Sequence, residues 1–350
     1  MAQSFEFGLD TFGDVTADLQ GTLHSQAHTL RDVIAEAVLA DQVGVDGFGV
    51  GEHHRPDFSI SAPEVMLAAI ASQTKRLVLG SAVTVLSTDD PVRVYQRFST
   101  LNAVSNGRAE IILGRGSFTE SYPLFGYDLS NYDELFEEKL ALFVELLKGG
   151  AVAWRGRTRA PLTGQTVYPP IEHGRLRTWV GVGGSPESVV RAARYGLPLS
   201  LAIIGGNPIR FGSYVDLFLQ SLERFGQPRQ RISVHSHGYV ANTDEDAKAD
   251  LWPHYQAMRA RIGAERGWPP PTVAQFESEV GPLGALYVGS PETVAAKMFK
   301  TMRALDLSRF NMKYSSGTLP HDKMMRSIEL YGTRVLPRVR TLLAGEAAND

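Results

Sequence analysis

The stretch that decides the fold is LVLGSAVTVL, residues 77–86 of a 350-residue chain. It contains almost no polar side chain, as expected of a strand that is buried on both faces in a parallel sheet. A helix is predicted to start shortly after it, near Asp90 and Pro91. A strand followed by a helix is the repeating unit of parallel α/β proteins, so we expect the flanking sequence to repeat it.

Apolar runs of strand length alternate with segments of helical period on both sides of this unit. Eight alternations favour a (β/α)8 TIM barrel over a doubly wound open sheet, which usually has fewer strands and a glycine fingerprint after the first. The predicted fold class is α/β, with one domain over residues 1–350 and insertions at roughly 151–177 and 264–289. The predicted strands are residues 5–10, 47–51, 77–86, 109–113, 178–182, 198–204, 232–240 and 309–313.

The composition removes several function classes. The 35 basic and 38 acidic side chains give a net charge of -3 without a basic stripe, which argues against nucleic acid as a partner. The absence of cysteine excludes disulfides, thiolate metal sites and a catalytic thiol. No secretory signal pattern and no apolar run of roughly 18 residues is present, so we expect a cytoplasmic protein without membrane contact.

Functional residues of this fold follow the carboxyl ends of the strands. The second strand is followed by Glu52, His53 and His54. Because side chains alternate along a strand, Gly49, Gly51 and His53 share one face, and we expect His53 to point into the barrel mouth beyond two glycines that make room for a flat group. Neighbouring histidines on a strand face opposite ways and no third ligand is evident, so no metal site is predicted.

Two further strand ends have the chemistry of an anion site. Arg115 stands between two glycines after the fourth strand, where its guanidinium offers a fork for phosphate oxygens. The fifth strand runs into a helix, whose free N–H groups favour an anion. A simpler interpretation makes Ser185 only a helix cap, and residues 289–294 repeat that cap chemistry; we favour the first copy because of its additional glycines. The residues of interest in that copy are Gly183, Gly184, Ser185 and Ser188.

Other catalytic arrangements find less support. His235 and His237 lie on one face of the seventh strand, where they either line the barrel mouth or are ordinary core histidines. No Gly-x-Ser-x-Gly elbow accompanies the serines and histidines, so a hydrolase triad is poorly supported. A metal-dependent barrel hydrolase is a distant alternative.

Five segments stand out: Glu52-His53-His54, LGSAVTVLSTDDPVR from Leu79, SNGRAEIILGRGS from Ser105, VGVGGSPESVVRAARYGLPL from Val180 and YVGSPETVAAKM from Tyr287. Together these segments resemble the bacterial luciferase-like flavin-dependent monooxygenases over nearly the whole chain. The resemblance implies a barrel that binds reduced FMN, often supplied by a separate reductase. The flavin reacts with dioxygen to give a C4a-peroxide that oxidises a small organic substrate.

The resemblance also assigns the phosphate site. Arg115 matches the family arginine that contacts the flavin phosphate, and Ser185 and Ser188 fall on the phosphate loop with the backbone of Gly183 and Gly184. The family often has a further polar residue where Gly184 stands, so that side-chain contact is lost here.

The flavin ring would lie on two further strand ends. Ser81, Ala82 and Val83 lie where the third strand of the family packs against the ring, commonly with a bulge or a non-proline cis bond. His53 matches the active-site histidine. Because imidazole titrates near physiological pH, a role as general acid or base is weighed evenly against simple flavin packing.

Two alternatives share the predicted fold. One is an F420-dependent oxidoreductase of the same superfamily, which transfers hydride without oxygen; the other is a flavin-binding protein without turnover. Members of the family usually dimerise through helices beside the early strands, so a homodimer is expected. The aromatic-rich loop at residues 118–132 either borders the pocket, meets a partner subunit or belongs to the core.

Overall fold

The computed structural model describes residues 5–172 and 174–347. Within them, the strands in chain order are β1 (Glu6–Thr11), β2 (Gly47–Val50), β3 (Val78–Ser81), β4 (Thr84–Val85), β5 (Ala109–Gly114), β6 (Ala151–Trp154), β7 (Leu162–Thr166), β8 (Arg177–Val182), β9 (Leu199–Ala202), β10 (Ile232–Val240), β11 (Tyr287–Gly289) and β12 (Arg309–Lys313).

The helices alternate with these strands, and most begin at a capping side chain or an early proline. Asp90, for example, accepts hydrogen bonds from the amides of Val92 and Arg93 ahead of Pro91. In chain order the helices are α1 (Gln26–Gln42), α2 (Pro63–Gln73), α3 (Pro91–Val104), α4 (Ser121–Leu124), α5 (Tyr132–Leu146), α6 (Pro186–Arg194), α7 (Gly212–Arg224), α8 (Asp244–Arg266), α9 (Val273–Val280), α10 (Pro291–Ala304), α11 (His321–Leu330) and α12 (Leu336–Ala347).

Eight of the strands close into a parallel barrel, in the ring order β1-β2-β3-β5-β8-β9-β10-β12 and back to β1. This confirms the predicted (β/α)8 fold. Both insertions lie outside the ring: the first contains the β6–β7 hairpin, and the second contains α9 and β11, which among the described strands pairs only with β10. Among the described helices, none has the length and apolarity needed to cross a bilayer.

The stretch at residues 77–86 differs from the prediction, because it is not one continuous strand. It divides into β3, a cis peptide bond between Ala82 and Val83, β4 and a short 3-10 turn. The pairing with β5 gives the reason: four steps along this segment, from Gly80 to Thr84, match three along β5, from Glu110 to Leu113. One residue is therefore left over, and the chain bulges at the carboxyl end of β3.

The amino end of the barrel is closed by charged side chains that the sequence analysis did not single out. Glu6 accepts hydrogen bonds from Arg177 at 2.8 Å and from Arg231 at 2.9 Å, and Arg309 donates to Glu110. All five residues come from, or directly precede, barrel strands. This ionic layer fills the amino end of the barrel, so the open space lies at the carboxyl end.

Candidate functional site

A cavity of about 580 Å³ opens at the carboxyl ends of the strands. Its volume is in the range of sites that hold cofactors and small molecules. Seven of the eight barrel strands contribute a lining residue at or just beyond their carboxyl ends, and β10 contributes His235 and His237 from within the strand. The long helix α8 contributes one wall. Active sites of (β/α)8 barrels lie at this end of the barrel.

Eight of the nine residues predicted from sequence line this cavity: His53, Ala82, Val83, Arg115, Gly183, Gly184, Ser185 and Ser188. Ser81 does not. Its hydroxyl lies behind the wall, 3.3 Å from both the amide nitrogen and the carbonyl oxygen of Ile112, and accepts a hydrogen bond from Thr84 at 2.8 Å. Ser81 therefore ties β3 to β5 rather than contacting a ligand.

The glycines of the second strand serve a different purpose from the one predicted. A Cβ atom on Gly49 would lie 2.0 Å from Oδ1 of Asp10, and one on Gly51 would lie 2.4 Å from Cδ1 of Phe12. Both positions are thus filled by side chains from the end of β1. The expectation that these glycines make room for a flat ligand is wrong.

His53 sits among aromatic rings at the mouth of the barrel. Its ring centroid lies 4.3 Å from that of Phe12, 4.6 Å from that of Phe58 and 5.4 Å from that of Phe118. Burial lowers the pKa of His53 from 6.5 to about 3, because the enclosure disfavours the imidazolium. The residue is therefore neutral at physiological pH, and its Nδ1 has no hydrogen-bond partner within the described residues.

The start of α6 combines a helix cap with an open face on the cavity. Ser185 accepts a hydrogen bond from the amide of Ser188 at 3.4 Å and donates one to Glu187 at 2.8 Å. A Cβ atom on Gly183 would meet nothing within 4 Å, and Gly184 has a φ of +130°, which favours glycine. Free backbone and open space at a helix N-terminus are what an anion requires.

The second copy of this cap motif is filled by the protein itself. Asp244 accepts hydrogen bonds from the amide of Ser290 at 2.6 Å and from the hydroxyl of Thr293 at 2.9 Å. Its carboxylate thus occupies the position that an anion would take at the start of α10. This copy also lies outside the cavity lining, which supports the choice of Ser185.

Two arginines flank the start of α6. Arg115 stacks over the ring of Tyr132 with 4.8 Å between its Cζ and the ring centroid, and donates to Asp133 at 2.6 Å. Arg191, which the sequence analysis missed, is buried and donates to the hydroxyl of Ser188 at 3.2 Å. Because Arg191 lies in the second turn of α6 and not at a strand end, the search of strand ends did not include it.

The aromatic loop after β5 covers one side of the mouth. Phe118 lies between two guanidinium groups, with Cζ of Arg55 at 4.5 Å and Cζ of Arg266 at 4.9 Å from its ring centroid. Arg266 also donates to the carbonyl of Ser117 at 3.0 Å. Of the other aromatics in this loop, Tyr132 lines the cavity. The contacts join the loop after β5 to the end of α8.

A polar network lies on the opposite side of the cavity. Lys313 donates to Asp14 at 2.8 Å, and both side chains are buried. His235 and Asp10 are 2.8 Å apart between Nδ1 and Oδ2. His235 lines the cavity together with His237, so the barrel-mouth interpretation of these two histidines holds. Lys313 ends β12 and Asp10 is the last residue but one of β1, so inspection of those two strand ends would have found them.

The histidines after β2 do not converge on a common point. Nε2 of His54 lies 2.9 Å from Oε1 of Glu52, whereas His53 packs among the aromatic rings. On the surface, outside the cavity lining, His24, His28 and Asp32 bring possible ligand atoms within 4.8 Å of one another.

Comparison with known proteins assigns a family. A family model described as luciferase-like monooxygenase matches residues 11–306. Three relatives are each 26% identical to this chain. The alkanal monooxygenase alpha chain of Photorhabdus luminescens aligns over 67% of this chain and 65% of its own length, and the 4-hydroxyprotoasukamycin monooxygenase of Streptomyces nodosus subsp. asukaensis over 88% and 86%. The oxygenase component of the flavin-dependent trigonelline monooxygenase of Acinetobacter baylyi aligns over 64% of this chain and 63% of its own length. The chain also spans about half, 52%, of an uncharacterised protein of Sinorhizobium fredii at 29% identity.

Solved structures share the fold. The oxygenating constituent of 3,6-diketocamphane monooxygenase from Pseudomonas putida, in complex with FMN, superposes with a TM-score of 0.77 at 18% identity, over 96% of this chain and 99% of that one. An F420-dependent secondary alcohol dehydrogenase superposes with a TM-score of 0.69 at 16% identity, over 96% and 99%.

Proposed function

Since this chain belongs to the luciferase-like monooxygenase family, we propose that it oxidises a small organic substrate with reduced FMN and dioxygen. One observation carries the proposal. Arg115 and the open N-terminus of α6 lie on the wall of the same cavity as His53. The cavity can therefore hold one ligand that has a phosphate group at one end and a reactive ring system at the other.

The residues present fit FMN. Arg115 offers a guanidinium to the phosphate, and the backbone at Gly183 and Gly184 leaves the approach open. Ala82 and Val83 give an apolar surface for the flat ring. When bound, reduced flavin supplies the electrons that activate dioxygen.

The side chains around the cavity supply enclosure and hydrogen bonding. Phe12, Phe58 and Phe118 surround His53, and such a wall keeps water from the reacting atoms. Neutral His53 has one ring nitrogen that donates a proton to a hydrogen bond and one that accepts. We propose that His53 orients a ligand group or holds one proton there, rather than acting as a charged acid.

Cofactor choice is the first test of the proposal. We expect the purified protein to bind reduced FMN more tightly than reduced F420 in anaerobic titrations followed by absorbance. A superfamily member that binds F420 is among the similar folds, so the comparison is informative. Tight F420 binding without FMN affinity would replace the proposal by hydride transfer. FMN binding with oxygen consumption that never couples to product, across a broad substrate panel, would favour a flavin-binding protein without turnover.

His53→Gln tests the proposed role of the imidazole. We expect flavin affinity to stay near that of the wild type, while the rate of substrate oxidation falls. Because burial lowers the pKa of His53 to about 3, the residue stays neutral over about pH 5 to 8, and the wild-type pH profile should have no inflection that the substitution removes. Both quantities come from flavin titration and reductase-coupled product formation. An inflection near pH 6.5 that vanishes in the variant would show that His53 is charged in the working enzyme.

Three further expectations are proposals of the same kind. A separate flavin reductase is supported by the relative that is an oxygenase component. A homodimer is supported by the exposed apolar side chains of Val65, Val104 and Leu124 on α2, α3 and α4, and a monomer in sedimentation velocity would reject it. A cytoplasmic location can be tested by cell fractionation.

A further inference from the structure

Four cationic side chains line the cavity, and only Arg259 lacks a hydrogen-bonded or ion-paired partner within residues 5–172 and 174–347. The other three are engaged: Arg115 with Asp133, Arg266 with the carbonyl of Ser117, and Lys313 with Asp14. Arg259 lies over the ring of Trp268, with 5.4 Å between its Cζ and the ring centroid. Its five N–H donors are therefore available to a ligand.

The surroundings of Arg259 form a mostly apolar wall whose only charged side chains among the described residues of α8 are Arg259 itself and Arg266. Tyr255, Met258, Ile262 and Arg266 line the cavity from the same helix, at the three- and four-residue spacing of one helical face. Trp268 extends this wall beyond the end of α8. A surface of this kind suits an organic molecule that has an apolar body and one anionic group.

The charges near Arg259 favour an anion. His237 lies near it on β10 and also lines the cavity. Burial lowers the pKa of His237 well below its usual value, with Lys313, His235 and Arg259 acting in the same direction. The carboxylates of this region are already used, because Asp14 accepts from Lys313 and Asp10 pairs with His235. Among the described residues, no carboxylate forms a hydrogen bond or an ion pair with Arg259.

Arg259 is separate from the phosphate site. The phosphate site follows β5 and β8, whereas Arg259 lies on the helix after β10, and β9 stands between β8 and β10 in the ring. We propose that Arg259 binds the carboxylate of an organic acid, with the apolar body of that acid against Tyr255, Met258 and Trp268. That this acid is the substrate rests on the function proposed above.

The test compares acids with amides of the same shape. Calorimetric titration of the FMN-loaded protein would use benzoate and benzamide, cinnamate and cinnamamide, and octanoate and octanamide. We expect the wild type to bind at least one acid more tightly than its amide. Arg259→Gln should lower the affinity for that acid by roughly ten-fold to a hundred-fold and leave the affinity for the amide unchanged. Arg259→Lys should retain part of the preference, because it keeps the charge but loses the fork.

Controls separate this inference from the function proposed above. Arg224→Gln removes an exposed arginine of α7 and should leave all affinities unchanged. Flavin affinity should be the same in Arg259→Gln as in the wild type; if it falls, Arg259 serves the flavin phosphate and the inference is wrong. Absence of an acid preference in every pair would also overturn it. A protein that binds acids through Arg259 but binds no flavin would uphold the inference and reject the proposed function.

Discussion

Asp14→Ala is expected to lower the free energy of unfolding by about 3–5 kcal/mol, the cost of leaving a buried charge without its partner. Lys313 is buried at the end of β12 and donates to Asp14 at 2.8 Å. Burial alone would raise the pKa of Asp14, but the Lys313 ammonium and hydrogen bonds from Ser315 and Gly317 outweigh it and hold that pKa below its usual value. The carboxylate is therefore charged and is the counterion that Lys313 needs.

Urea unfolding at neutral pH measures the effect, with a double-mutant cycle to isolate the pair. Lys313→Met should also destabilise the protein, and Asp14→Ala with Lys313→Met should cost less than the sum of the two single substitutions. Glu277→Ala is the matched control, because it breaks the exposed pair with Lys248 and should cost less than about 1 kcal/mol. If Asp14→Ala costs no more than this control, the pair is not the stabilising element inferred here.

The same pair shapes the candidate site. Gly317 donates to Asp14 at 2.9 Å, so the segment after β12 is tied to the segment after β1. Nζ of Lys313 lies 4.6 Å from the ring centroid of Phe12, which in turn packs on His53. Loss of the pair should therefore loosen the aromatic wall around His53 as well as the fold.

Periodicity was sufficient to predict the barrel but not its local break. β10 spans residues 232–240, as predicted, because a long regular segment carries a clear period. The division of residues 77–86 depends on how many residues of β5 they pair with, which is a property of two distant segments. An apolar run indicates that a segment is buried, but it does not indicate the register in which that segment pairs with its neighbour.

The rule that functional residues follow strand ends likewise predicted most of the strand-end residues of the candidate site, but it could not predict residues that helices contribute. Eight of nine predicted residues line the cavity, whereas Arg259 on α8 was missed because sequence does not show which helix folds over the barrel mouth. His53 was placed correctly in the mouth, but its pKa was not foreseen. The neighbours that lower this pKa, such as Phe118, come from distant parts of the chain.

Arg115→Ala should weaken FMN binding by roughly ten-fold to a hundred-fold, which corresponds to about 1.5–3 kcal/mol for a charge-assisted contact. The guanidinium lines the cavity next to the start of α6 and is held over the ring of Tyr132. Its present partner, Asp133, has a side chain that is 77% exposed, so water can replace Arg115 there at little cost when phosphate binds. Titration of the variant with FMN and with riboflavin, which lacks the phosphate, measures the effect.

The riboflavin comparison gives this prediction its specificity. If Arg115 contacts the phosphate, Arg115→Ala reduces the affinity for FMN toward that for riboflavin and leaves riboflavin binding unchanged. Asp133→Asn should strengthen FMN binding slightly, because it removes a negative charge that competes for Arg115. Equal losses for FMN and riboflavin would mean that Arg115 supports the ring pocket instead. Unchanged FMN affinity would remove Arg115 from the cofactor site and leave Ser185, Ser188 and the backbone of α6 as the remaining phosphate contacts to test.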